Sequence, residues 1–260
     1  MSNKQYKHYH HEEFDPVSHC QTYAGSDRTF NGEVIEDIMQ NIYKAFSSGD
    51  VKGDTIIDVS HGLFFFQLFI ATDYFKDIIM IESSDRCIEE IQKWIKKEPG
   101  AIDKSNLAAF ACALKGKSTG WKEQEDKLRN AIKQVVKWDI SQENPLGSVT
   151  LPQADCLISV VYLEGVCKDH NMFLKILKHF SSLLKTGGHL ILVATINMLY
   201  YTIGQHRFSV LKFDEAFIQK ALKDTGFIIK IFDQIPRNFD STLTDFDHLV
   251  CIVSYKEREI

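Results

Sequence analysis

The sequence predicts an α/β fold, a mostly parallel sheet with helices on both faces. Two observations carry this. Short apolar runs rich in Ile and Val recur at 55–59, 78–82, 107–112, 154–161, 190–195, 226–232 and 249–254. Longer amphipathic stretches separate most of them. Buried parallel strands read as near-continuous β-branched runs. Their alternation with helices implies crossover connections between parallel strands. The last two runs have no helix-length period between them, which predicts an antiparallel hairpin at the sheet edge.

Each element has its own signal. Val34, Ile35, Ile38, Met39, Ile42 and Phe46 fall on one face of a helix. The first strand, 55–59, runs into Asp58-Val59-Ser60-His61-Gly62-Leu63. The second, 78–82, ends on Glu82. Ser84-Asp85 then caps a helix through Lys97, with Ile88, Ile91, Trp94 and Ile95 inward. The run 107–112 is expected as the third strand. Residues 122–137 are expected as a helix, with Leu128, Ile132, Val135 and Val136 on its apolar face. After the fourth strand, 154–161, a helix over 171–184 is expected to stop at Lys185-Thr186-Gly187-Gly188. A last helix, 214–225, stops at Gly226. Residues 1–32 precede the alternation and are read as an N-terminal arm or lid; 33–260 form one domain.

Composition narrows the function. The chain has 260 residues, 44% hydrophobic, enough for a substantial core. A net charge of −5 shows no basic excess, so no nucleic-acid partner is expected. No apolar run reaches the ~20 residues of a bilayer span, and residues 1–15 lack a signal-peptide core. Six scattered cysteines without a C-x-x-C pair read as reduced thiols. A cytoplasmic monomer without membrane contact is the expectation. His8, His10 and His11 lack a fixed metal-ligating geometry, and no metal site is expected.

In open parallel sheets, ligands bind beyond the carboxyl ends of the strands. Glu82 stands where an acid accepts ribose hydroxyls in nucleoside-binding folds, although an exposed strand-end acid is as good a reading of the spacing alone. The loop after the first strand keeps only Gly62, which disfavours a dinucleotide pyrophosphate. A cofactor without phosphate, S-adenosylmethionine, makes a weaker demand on that loop.

The sequence resembles the nicotinamide, phenylethanolamine and indolethylamine N-methyltransferase family over nearly its whole length. The matching segments, in order, include Gly53-Asp54-Thr55-Ile56-Ile57-Asp58, Trp94-Ile95-Lys96-Lys97-Glu98-Pro99-Gly100-Ala101, Val136-Lys137-Trp138-Asp139, Asn144-Pro145-Leu146, Ser182-Leu183-Leu184-Lys185-Thr186-Gly187-Gly188 and Tyr200-Tyr201. The resemblance implies a Rossmann-like seven-stranded methyltransferase fold with an antiparallel edge hairpin and an N-terminal helical lid. It implies methyl transfer from S-adenosylmethionine to nitrogen of a small amine or aromatic heterocycle. Tyr23, Asp58, Ser60, His61, Gly62, Phe66, Glu82, Asp139 and Ile140 are the cofactor candidates it gives. Glu164 and Asp245 are the catalytic candidates; Asn197, Tyr201 and Asp247 are the substrate candidates.

This chain departs from the family pattern around the cofactor. Ser60-His61 stands where the family has Gly-Ser, Phe66 replaces a tyrosine, Glu82 an aspartate and Cys87 an asparagine. His19 and Ala24 replace tyrosines of the arm. His61 either fills cofactor space or acts as a base. Ala194 and Val210 replace polar residues that nicotinamide-type members carry, which disfavours nicotinamide. The alternative reading is a family member that has lost catalysis and serves as a binding or scaffold protein.

Overall fold

The computed structural model describes residues 13–25, 33–238 and 240–258. Thus the His8, His10 and His11 reading lies outside the described residues. Helix α1 (Pro16–Ala24) starts with Asp15 accepting from the Ser18 amide and with proline in its first turn. Helix α2 (Glu33–Ser47) leads into β1 (Thr55–Asp58), the short α3 (Leu68–Ala71) and β2 (Asp77–Glu82). Three helices follow: α4 (Asp85–Ile95), capped by Ser84, α5 (Ser105–Leu114) and α6 (Trp121–Ala131). Then come β3 (Ile132–Lys137), β4 (Ala154–Val160), α7 (Leu163–Val166), α8 (His170–Leu183) and β5 (Leu184–Ile196). A small hairpin, β6 (Tyr200–Ile203) and β7 (His206–Ser209), precedes α9 (Glu215–Asp224), β8 (Phe227–Pro236) and β9 (His248–Lys256).

The seven-stranded sheet has the order β3-β2-β1-β4-β5-β9-β8. Only β9 runs against the rest, paired antiparallel to both β5 and β8. The edge hairpin is therefore present, with its second strand tucked inside the first. Chain order reverses between β1 and β4, so the switch point lies at their carboxyl ends.

Three expectations are corrected. Residues 107–112 are not a strand; they lie inside α5. The run is Leu-Ala-Ala-Phe-Ala-Cys, alanine-rich and without a β-branched residue, so helix propensity wins over apolar continuity. The expected helix over 122–137 splits into α6 and β3 at Ala131. Ile132, Val135 and Val136 belong to the missing strand, which follows the helix with no Gly or Pro to mark the break. Likewise α8 ends at Leu183, and Lys185–Gly188 already belongs to β5.

One polar clamp sets β1 against its neighbours. Asp155 Oδ2 accepts the amides of Asp54 (2.9 Å) and Thr55 (3.1 Å), while Lys185 Nζ reaches its Oδ1 at 2.6 Å. A Cβ on Gly53 would lie 2.3 Å from Asp155 Cβ, so only glycine lets the chain pass. Asp155→Ala should lower unfolding free energy by about 1–3 kcal/mol through two stranded amides and a lost ion pair. Urea denaturation measures this, and Gly53→Ala should also destabilise.

Candidate functional site at the ends of β1 and β4

The end of β1 is built around a buried carboxylate. Asp58 is 3% exposed; its Oδ1 accepts from Ser60 Oγ (2.8 Å) and Gln67 Nε2 (2.7 Å). Ser60 Oγ also accepts the Val160 amide at 3.1 Å, which ties this loop to β4. The backbone continues the seam: the His61 amide donates to Val160 O at 3.0 Å. Burial pushes the Asp58 carboxyl up to about 7, against the opposing pull of the Gln67 and Ser60 hydrogen bonds.

Beyond this loop the space is filled by rings. The His19 and His61 centroids are 4.8 Å apart, His19 and Phe64 4.8 Å, and His61 and Tyr201 5.5 Å. Phe14 lies edge-on to His61 at 5.6 Å. A Cβ on Gly165 would stand 3.0 Å from the His61 ring, and one on Gly62 3.2 Å from His19 Nδ1. Gly62, at φ +58°, thus turns the loop and admits α1.

What remains is a cavity of about 80 Å³ with mostly apolar walls, among them Ile35, Ile38, Met198 and Phe246. Polar wall atoms without a hydrogen-bond partner include His19 Nδ1, Glu164 Oε2 and the Tyr201 and Thr244 hydroxyls. Glu164 is anchored on one side only: its Oε1 accepts the Thr195 amide and hydroxyl, both at 2.8 Å. Burial raises the Glu164 carboxyl to about 7. Burial, with the nearby charges of His61 and Lys104, holds His19 well below its usual value, so its imidazole is neutral at pH 7.

The other side of the switch point is open. A cleft of about 760 Å³ is lined by Ser83, Trp138, Asp139, Ile140 and Met172 among others. Asp139 there accepts from Ser141 Oγ (2.6 Å) and Gln142 Nε2 (3.2 Å); these bonds hold its carboxyl below the usual range. Glu82 is buried, and its Oε1 accepts the Ser83 (2.7 Å) and Ser84 (2.9 Å) amides. It is therefore not an exposed strand-end acid.

The structure brings Tyr23, His61, Phe66, Glu164 and Tyr201 to the cavity wall, with Asp58, Ser60 and Gly62 in the adjoining loop. Asp139 and Ile140 line the open cleft with Ser83, whereas Glu82 itself is not among its lining residues. The Tyr23 hydroxyl is engaged with Thr202 O (2.8 Å) and Leu243 O (3.2 Å). Asp245, Asp247 and Asn197 do not line the cavity. Asp245 Oδ1 instead accepts the Leu199 and Tyr200 amides, and Asn197 Nδ2 donates to Asp247 Oδ2 at 2.8 Å. These residues fasten the loop before β9 to the start of the β6–β7 hairpin. Sequence reasoning missed Thr195 and Thr244 as wall residues and Gln67 as the third member of the Asp58 knot. The position of Thr195 at the end of β5 was the available signal.

The match to known proteins is extensive. The NNMT/PNMT/TEMT family model matches residues 3–257. The chain belongs to that family. Human nicotinamide N-methyltransferase is 36% identical over 245 residues, covering 94% of this chain and 93% of that protein. Mouse indolethylamine N-methyltransferase is 33% identical over 247 residues, 94% of each chain. Human phenylethanolamine N-methyltransferase is 34% identical over 72% of this chain and 67% of its own length. Among solved folds, N-methyltransferase NodS from Bradyrhizobium japonicum with S-adenosyl-L-homocysteine aligns at TM-score 0.53 and 14% identity. That alignment covers 94% of this chain and all of that one.

Family membership makes S-adenosylmethionine the cofactor to test against these residues. At the nucleoside end Asp139 lines an open cleft, and the acid that ends β2, Glu82, is buried with its Oε1 on the Ser83 and Ser84 amides. At the other end the donors and acceptors fit, since buried polar wall atoms there lack partners. The space is small, about 80 Å³ against the roughly 300–1,000 Å³ of ligand sites. Access to that end requires the His19, His61 and Phe64 rings to move.

The raised carboxyls give a signed pH dependence. Asp58 and Glu164 titrate near 7 when folded, against 3.8 and 4.5 otherwise. Between those values the folded chain holds protons the unfolded chain has lost. The contribution of both groups is therefore fully present on the acid side and is lost as pH rises towards about 7. Asp58→Asn and Glu164→Gln should each flatten the fall in stability between about pH 4 and 7. Urea titrations across that range check it; unchanged slopes in both variants would contradict the burial assignment.

Proposed function

We propose that this chain is an S-adenosylmethionine-dependent methyltransferase whose acceptor is the nitrogen of a small amine or aromatic heterocycle. The observation that carries the reading is Glu164. It is a buried carboxylate with one oxygen fixed by Thr195 and the other unpartnered on the wall of a small apolar cavity. That cavity lies at the switch point of a family methyltransferase fold. We also place the protein in the cytoplasm as a monomer. Among the described residues no helix is long and apolar enough to cross a membrane.

The cofactor supplies an electrophilic methyl on a sulfonium. Glu82 and Asp139 would hold its nucleoside, and the Asp58–Ser60–Gln67 knot would shape the loop against its amino-acid end. The chain's remaining work is orientation, dehydration and proton handling. An alkylamine reaches the site as an ammonium and must lose a proton before its lone pair can attack. Glu164 Oε2 accepts an N–H from it and takes that proton. A carboxyl near 7 is well matched to this exchange. The neutral His19 ring offers a second acceptor. A pyridine-type nitrogen already has its lone pair and needs only orientation. Helix α1, carrying His19 and Tyr23, acts as a lid that keeps water from the reacting nitrogen. Nothing in the comparisons favours a member that merely binds.

Glu164→Gln should lower kcat/KM for alkylamines about 10²-fold or more, while S-adenosylhomocysteine affinity stays within about 3-fold. Heterocyclic acceptors should lose far less. Glu82→Ala should weaken S-adenosylhomocysteine binding by roughly 10- to 100-fold, as loss of charge-assisted hydrogen bonds does. Calorimetry and thermal shift measure both, and absence of binding at millimolar cofactor would overturn the assignment.

A further inference from the structure

We propose that Lys104 and Cys20 form a reversible, peroxide-driven sulfur–nitrogen cross-link that fastens α1 to the body of the protein. The two side chains come from sites 84 residues apart and meet with Nζ 2.8 Å from Sγ. Both are buried, at 1% and 2% exposure. Lys104 Nζ donates to Leu63 O at 2.8 Å and sits 4.6 Å over the Phe65 ring. Among the described residues no carboxylate pairs with it. A buried amine is costly without partners, so the sulfur, the carbonyl and the ring face make up its surroundings. All six cysteines are buried, and the Cys20 sulfur stands at hydrogen-bond distance from a lysine nitrogen. The feature is thus a nucleophilic pair held in contact rather than a solitary thiol.

The chemistry needs one oxidant, a peroxide. The Cys20 sulfur attacks a peroxide oxygen and the O–O bond breaks. Sulfur loses two electrons and becomes a sulfenic acid, and the peroxide leaves as water. The Lys104 nitrogen, once its ammonium has given up a proton, then attacks that sulfur. An S–N bond forms, the S–O bond breaks, and the hydroxyl departs with an amine proton as a second water. No further oxidant is required. Proximity favours this capture over a second oxidation of sulfur, because the amine is already in contact. Excess thiol reverses the link, regenerating the amine and leaving Cys20 as a mixed disulfide that further thiol reduces.

The location gives the link its consequence. Cys20 lies on α1, one residue from His19, and Lys104 immediately precedes α5. Leu63, which both contact, belongs to the loop after β1. A bond here pins the N-terminal helix over the cavity.

The test is peptide mapping by mass spectrometry of the whole protein after brief treatment with hydrogen peroxide and quenching without thiol. The expected product is a linked pair of peptides, containing Cys20 and Lys104, lighter than their sum by two hydrogens. It should vanish after dithiothreitol. The treated protein should melt at a higher temperature, reversibly, and Cys20→Ser should abolish the rise. Lys104→Arg should instead accumulate sulfinic Cys20. Sulfinic Cys20 beside unmodified Lys104 in the wild-type map would overturn the proposal. So would a Cys20 left unmodified, or a link at another lysine. The wild-type map decides without any variant having to fold.

Discussion

The site depends on how the chain satisfies a carboxylate buried at the end of its first strand. Asp58 is buried, and an ionised carboxylate in such a place is expensive unless it is hydrogen-bonded. Ser60 and Gln67 supply the donors, and both are therefore committed to holding Asp58. Ser60 in turn takes the Val160 amide, so the knot fastens β1 to β4 where the topology reverses. A loop held this firmly positions whatever stands next on it. Here that is His61.

The placement of His61 explains why the cavity is small. Its ring abuts Gly165 after β4, faces His19 from α1 and lies against Tyr201 of the β6–β7 hairpin. Three separate segments thus close on one side chain. The two imidazoles tolerate contact because burial keeps His19 neutral. Glu164, the residue before Gly165, lines the same cavity and is orientated by Thr195. Helix α1 meets this site through aromatic edges, and it is tied to the rest of the chain at its start by the Asp15–Arg86 ion pair (3.0 Å) and near its end by the Tyr23 hydroxyl on Thr202 O (2.8 Å).

Much of this was legible in the sequence. The strands of the sheet centre are β-branched runs with turn residues at their ends, and they sit where expected. The misreading of 107–112 has a physical origin. An apolar run without Ile or Val carries no period that separates a buried helix from a strand, and alanine decided for helix. The strand at 132–137 was hidden because it is the sheet edge, half polar, and follows α6 without a break. Within the site, Glu164 was legible because a residue just after a central strand can only lie near the switch point. Asp245 was not, because it sits in the long connection before β9, whose path is set by backbone amides at Leu199 and Tyr200. Asn197, at φ +59°, stands at that same junction with its side chain on Asp247 Oδ2 rather than in the cavity.

Amide hydrogen exchange over residues 16–24 tests most directly whether the ring-filled cavity is a closed state that opens to admit cofactor. The α1 amides should exchange through a low-energy opening, well ahead of those in β1 and β4. Saturating S-adenosylhomocysteine should change their protection while leaving the central strands as they were. Cofactor binding with α1 as protected as the strands, and unaltered by the ligand, would contradict the account.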